Sequence, residues 1–195
     1  MDGTDLARPV RRGERVLVLG GGGAVGQVAV GAARLLGAAR VVAVCRSTAA
    51  ADRARAAGAE EVVTPDGDVD TLTERLRVVI GGAVDVVVDP VFGAAATAAA
   101  RVLAPGGRLV NLGSASGDEA AFSSTVLRSR SAEVLGYTNN ALTSAQRAEA
   151  LAAVLGHAAE GRLGVAHEVL PLAAVGRAWR RQATGDAGVR FVLTP

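Results

Sequence analysis

The sequence predicts an α/β fold: a doubly wound parallel sheet of six strands with helices on both faces, followed by a C-terminal appendage of helix and strand. Three observations predict it. Short Val- and Leu-rich runs alternate with helical stretches from Glu14 to Gly136, which is the rhythm of βαβ units. The runs lack a polar alternation, as strands buried on both faces do. The chain has 195 residues, half of them hydrophobic and only 3% aromatic, enough for one domain with a core of Ala, Val and Leu.

Taken in order, residues 1–13 are polar and read as a poorly ordered lead-in. Strands are expected at 15–19, 40–44, 61–64, 84–89, 108–112 and 133–136, and helices at 24–36, 49–57, 70–79, 94–103 and 119–128. Ala57-Gly58 and Pro105-Gly106-Gly107 stop helices and turn into the next strand. The first domain thus spans 14–140 and the appendage 141–195. In the appendage a long helix at 143–161 begins at a Ser144 cap and ends at Gly161, with Leu142, Leu151, Val154 and Leu155 facing inward. A strand at 167–172, a helix at 173–184 and a strand at 189–193 follow.

The most informative segment is Gly20-Gly-Gly-Gly-Ala-Val-Gly26, between the first strand and first helix. Strand, glycine loop and helix in that order form the phosphate-binding turn of a Rossmann dinucleotide fold. Two registers overlap: Gly21, Gly23 and Gly26 give G-x-G-x-x-G, while Gly20, Gly23 and Gly26 give the longer G-x-x-G-x-x-G. In either, one glycine makes the tight turn, one lets backbone approach a pyrophosphate and one lets helix pack on strand. Ala24 and Val25, in the first turn of the helix, add free N–H groups and the positive end of the helix dipole.

Composition narrows the function classes. The 21 basic residues are all arginine, against 19 acidic ones, a bias that points to a high-GC bacterial genome. No basic block with interleaved aromatics marks a nucleic-acid surface. Cys45 is the one cysteine, so neither an intrachain disulfide nor a cysteine-based zinc site is expected. His157 and His167 lack metal-ligand spacing and read as structural. The start lacks a signal-peptide pattern and no apolar run is long enough to span a bilayer, so a cytoplasmic location with no membrane partner is expected.

Several phrases together resemble the medium-chain dehydrogenase/reductases, and within them the quinone oxidoreductase-like branch. They are the segment 15–26 with Ala-Ala-Arg-Leu-Leu-Gly behind it, Arg55-Ala-Ala-Gly-Ala-Glu60, Val84-Asp-Val-Val-Val-Asp89, Leu103-Ala-Pro-Gly-Gly-Arg-Leu-Val-Asn-Leu-Gly113, and the tail with Leu170-Pro-Leu, Ala178-Trp179 and Val-Arg-Phe-Val-Leu. The resemblance runs from Gly13 to the end. It implies a nucleotide-binding domain and its return segment. In the family a catalytic domain, which closes over the nicotinamide and holds zinc where zinc is used, precedes the glycine loop. No counterpart occurs in this sequence, so the chain is expected to be a fragment, a stand-alone descendant, or one whose catalytic half a separate chain supplies.

An acidic residue about twenty positions past the loop holds the ribose 2′-OH of NAD. Here strand two ends Val44-Cys45-Arg46-Ser47-Thr48, and Cys45 stands where the resemblance expects aspartate. Arg46 can pair with a 2′-phosphate and Ser47 can add a hydroxyl, so NADP(H) is expected in preference to NAD(H). The resemblance also places Val91, Leu112, Gly113 and Tyr137 beside the nicotinamide ribose or carboxamide; each reads equally as an ordinary strand end or packing residue. Asp89 is expected to orient its loop or cap the next helix.

The leading expectation is NADPH-dependent hydride transfer to a quinone or an activated alkene or carbonyl, with no catalytic acid, base or nucleophile named. The alternative is a stand-alone NADP(H)-binding module without turnover. A short-chain dehydrogenase is disfavoured, because a chain without lysine has no Tyr-x-x-x-Lys pair. A homodimer is expected through the edge strand Glu133–Gly136, which carries a single charge to discourage pairing.

Overall fold

A computed structural model describes residues 9–184 and 189–195. The expectation for 1–8 lies outside the described residues. Six parallel strands form one sheet: β1 (Arg15–Leu19), β2 (Arg40–Val44), β3 (Glu61–Val63), β4 (Val84–Asp89), β5 (Leu103–Asn111) and β6 (Glu133–Gly136), in the spatial order β3-β2-β1-β4-β5-β6. This is the doubly wound order, whose direction of winding reverses between β1 and β4. The helices are α1 (Ala24–Leu35), α2 (Thr48–Ala56), α3 (Val69–Ile80), α4 (Gly93–Ala100) and α5 (Ser124–Arg130), followed by α6 (Ser144–Ala159). The strands β7 (His167–Pro171) and β8 (Arg190–Thr194) pair in parallel as a separate sheet, joined through α7 (Val175–Ala183).

The pleat sorts β1 between two cores. Val16 and Val18 face Val30, Ala33 and Ala54 of α1 and α2. Leu17 and Leu19 face Leu72, Leu76 and Ile80 of α3 and Ala96, Ala99 and Ala100 of α4. Because successive residues of a strand point to opposite faces and both are covered, an unbroken apolar run such as Val16–Leu19 is what this position requires. All four side chains are 1% exposed or less.

Several boundaries differ from expectation. Helix α4 stops at Ala100 rather than 103, and β5 already begins at Leu103. Pro105-Gly106-Gly107 lies inside β5 as an irregularity: the pairing register with β4 shifts between Val84 and Val86, the place where Pro and Gly are tolerated in strands. Helix α5 covers Ser124–Arg130 rather than 119–128 because Ser123 caps it, accepting from the Val126 N–H at 3.4 Å. Helix α6 is capped by Thr143, not Ser144: Thr143 Oγ1 accepts from Gln146 N–H and the Gln146 side chain accepts from Thr143 N–H, a capping box.

The segment 9–13 is tied down rather than loose. Gly13 N–H donates to Gly37 O at 2.9 Å, and Arg108, 4% exposed on β5, donates to Pro9 O at 2.7 Å and to both oxygens of Glu14 at 2.8 and 2.9 Å. The Arg108 guanidinium holds the Glu14 carboxyl below the usual glutamate range.

Candidate functional site

The loop between β1 and α1 divides its tasks among four glycines. Gly20 turns the chain with φ +67°. A Cβ on Gly22 would lie 2.2 Å from the Ala50 carbonyl oxygen of α2, and one on Gly26 would lie 2.1 Å from the Gly20 carbonyl oxygen. Gly23 is the N-cap of α1, and a Cβ there would meet only Gly20 O at 3.4 Å. Of the two sequence registers, Gly20-x-x-Gly23-x-x-Gly26 therefore matches the division into turn, open approach and helix packing. Gly21 packs instead beneath the loop, its Cβ position 2.6 Å from Ala43 Cβ.

Beyond Gly23, the amides of Ala24, Val25 and Gly26 occupy the first turn of α1, where N–H groups have no intrahelical acceptor. No acidic residue stands in that turn. Donors without a competing carboxylate suit an anion.

The loop opens into a cleft of about 900 Å³ at the carboxyl ends of β1, β2 and β4. Arg46, Ser47 and Arg53 line one side, Pro90, Val91 and Phe92 the other, and Gln182, Val189 and Arg190 of the tail approach from outside. No Asp or Glu is among the described lining residues. Among the described residues Arg46, Arg53 and Arg190 have no carboxylate partner, whereas Arg34, Arg75, Arg101, Arg108 and Arg181 each do. Cations left unneutralised in a cleft without carboxylates raise its potential toward anionic ligands.

Two side chains hold the loop's own carbonyls. Gln27, 5% exposed, donates from Nε2 to Gly22 O at 3.1 Å and Gly23 O at 3.3 Å. Arg53 Nε donates to the same Gly22 O at 2.9 Å. Turned onto these donors, the carbonyl oxygens are kept from a ligand on the N–H side.

Across the cleft, Asp89 is fully buried and accepts from Val91 N–H at 2.9 Å and Phe92 N–H at 2.7 Å. Burial pushes its carboxyl up, against these hydrogen bonds and that of Asn111. The bonds brace Phe92 at φ +60°, a region costly for an aromatic residue. Asp89 thus orients this loop, and Phe92 holds the N-cap position of α4.

The structure gathers Gly23, Ala24, Val25, Gly26, Arg46, Ser47 and Val91 along one cleft. Ser47 is also the cap of α2, its Oγ accepting from Ala50 N–H at 3.2 Å. Gly21, Leu112, Gly113 and Tyr137 are not among the cleft lining. Leu112 N–H donates to Asp89 O at 2.7 Å, Gly113 O accepts from Asn111 Nδ2 at 2.8 Å, and Tyr137 N–H donates to Asn111 O at 2.9 Å. Here these three extend the β4–β5–β6 edge. Sequence reasoning missed Gln27, Arg53 and Arg190. Gln27 carries a signal, being the one polar residue on the buried side of α1; the two arginines carry none in a chain rich in arginine. Cys45 is buried beside the loop and burial raises its thiol pKa, the opposite of a reactive thiolate. Among the described residues no three His, Cys, Asp or Glu side chains converge as a metal site, and no helix is long and apolar enough to cross a membrane.

A profile described as zinc-binding dehydrogenase matches residues 24–155. A phenolphthiocerol/phthiocerol polyketide synthase polypeptide of Mycobacterium tuberculosis is 32% identical over 190 residues, which are 93% of this chain and 8% of that protein. A mycobacterial quinone oxidoreductase superposes with TM-score 0.86 at 27% identity, covering 96% of this chain and 58% of that one. The quinone oxidoreductase of Thermus thermophilus, solved also in complex with NADPH, gives TM-score 0.72 at 33% identity, over 91% of this chain and 56% of that one. The chain thus spans just over half the length of these structures and under a tenth of the curated relative. With the doubly wound sheet and glycine loop in place, the chain belongs to the zinc-binding dehydrogenase family of medium-chain dehydrogenase/reductases, and corresponds to their nucleotide-binding portion.

Proposed function

We propose that this chain binds NADP(H) in the cleft above the glycine loop and serves hydride transfer to a quinone or to an activated alkene or carbonyl. The observation that carries the reading is the cleft itself, which brings together open helix N–H groups and unneutralised Arg46 and Arg53, with no lining carboxylate among the described residues. The chemistry belongs to the nicotinamide when bound. This chain's part is to hold pyrophosphate at Gly23–Gly26, to read the 2′-phosphate with Arg46 and Ser47, and to present one face of the nicotinamide along the Val91 wall. The Thermus thermophilus relative solved with NADPH supports the cofactor.

The lining holds no Asp, Glu, His or Tyr among the described residues. That supports a second reading, a cytoplasmic NADP(H)-binding module or subunit whose turnover needs a catalytic half from a separate chain. Titration with NADPH and NADH, followed by assay with quinones and enals, separates the two. Gly23→Val should fold, since its Cβ has space, yet lose NADPH. A charge-assisted hydrogen bond is worth about 1.5–3 kcal/mol, less for an exposed side chain such as Arg46, so Arg46→Ala should weaken NADPH about tenfold and leave NADH unchanged. Tighter binding of NADH than NADPH by the parent would overturn the 2′-phosphate assignment.

We also propose a homodimer through β6, a terminal strand of the sheet whose outer side pairs with no strand among the described residues. Sedimentation at micromolar concentration should give twice the chain mass; a monomer would count against it.

A further inference from the structure

We infer that Gln27 is a positioning residue that couples occupancy of the glycine loop to docking of the β7–β8 unit. The inference rests on the loop being the phosphate site proposed above, and adds a connection between that site and the tail. Its basis is the way one buried amide is divided. Nε2 donates to the Gly22 and Gly23 carbonyls at 3.1 and 3.3 Å, while Oε1 accepts from the Ala166 N–H at 2.8 Å, across 139 residues of sequence. The three partners fix the amide orientation, because two carbonyls require the NH₂ end and an N–H requires the oxygen.

Ala166 is placed to pass this on. Its carbonyl accepts from Arg190 N–H at 3.1 Å, at the start of β8, so one residue links Gln27 to both strands of the small sheet. Arg190, Val189 and Gln182 form the outer wall of the cleft. Beside the link, Leu163 Cδ2 lies 2.7 Å from where a Cβ on Gly31 would stand, so the same stretch is seated against α1.

A phosphate on the loop N–H groups favours the arrangement in which Gly22 and Gly23 carbonyls point away from it, onto Gln27. That arrangement orders the Gln27 amide and so strengthens its grip on Ala166. Coupling between two sites is reciprocal, so a docked tail must in turn favour the phosphate.

The test uses the full chain, with NADPH and inorganic pyrophosphate as probes, and reads both affinity and hydrogen exchange of the segment containing Ala166. In the parent, either probe should slow that exchange. Gln27→Met keeps the size and removes the polar amide. It should speed exchange there about tenfold in the free chain, abolish the slowing by ligand and weaken NADPH about tenfold. Ala166→Pro removes the N–H at the far end and touches no ligand, yet should weaken NADPH about fivefold. Bound ligand that leaves the parent's exchange unchanged would overturn the coupling. So would parent-like affinity in both variants. If pyrophosphate binds and slows exchange but NADPH does not bind, the proposed function falls and the coupling stands. If nothing binds, both fall.

Discussion

The sheet domain and the tail both carry abundant apolar side chains but use them differently. Nearly every large buried residue lies between Val16 and Val110, whereas the tail buries only Leu163, Leu170 and Ala178 among the described residues. Leu151, Val154 and Leu155 of α6, expected to face inward, are 58%, 40% and 58% exposed, and Trp179 of α7 is 74% exposed. The reason is geometric: α1 to α4 each lie on a sheet face, while α6 has no sheet beneath it among the described residues. An apolar pattern states that a face is meant to be covered; it does not state what covers it.

Paired substitutions put the difference to measurement, and the largest contrast is expected for leucines. Leu17→Ala, at 0% exposure, should cost about 3–4 kcal/mol through lost burial and a cavity, whereas Leu155→Ala should change stability by less than about 0.5 kcal/mol. Denaturant melts of the two variants read this directly. Equal losses would mean that α6 is covered in solution.

Ion pairs should divide in the same way. The Glu14–Arg108 pair is largely buried, with side chains 16% and 5% exposed, while Glu168–Arg181 is more than a third exposed at both ends. Removing one partner of a buried pair costs about 3 kcal/mol, and of an exposed one under about 1 kcal/mol. Glu14→Gln should therefore destabilise far more than Glu168→Gln. The pKa of Glu14 is lowered, so the stability it contributes is present above the ordinary glutamate range and lost as pH falls through its depressed value. The Gln variant should lack that part of the acid limb.

The glycines should differ in sign as well as in size. Gly26→Ala drives a Cβ to 2.1 Å from the Gly20 carbonyl and should cost about 2–3 kcal/mol. Gly156→Ala, inside α6 with nothing within 4 Å, should instead stabilise by about 0.5–1 kcal/mol. Thermal melts of opposite sign are the expected result.

The same division governs what the residues disclose in advance. Leu17 and Leu19 mark a doubly covered strand because their run lacks polar alternation, and β1, β2, β4 and β6 begin and end where the pattern ends. Pro105-Gly106-Gly107 misleads, because the residues that stop a helix also permit a strand irregularity, and only pairing with β4 distinguishes the two. The α6 cap falls on Thr143 rather than Ser144, since either hydroxyl suits an N-cap and the reciprocal bond with Gln146 selects between them.

Fold class, the alternation of strands and helices, and a glycine loop between the first strand and first helix are all written in the chain, because they follow from local periodicity and from side chains missing at successive glycines. Which glycine turns and which stays open is settled only on folding, since Gly20, Gly21 and Gly22 read alike in the sequence and differ in backbone conformation and in what their missing Cβ would strike. Folding also selects the arginines that face the cleft. Arg46 follows β2, where the sequence already points to it, but Arg53 and Arg190 come from α2 and from β8, and a charge has no periodicity by which the chain could announce where it will converge.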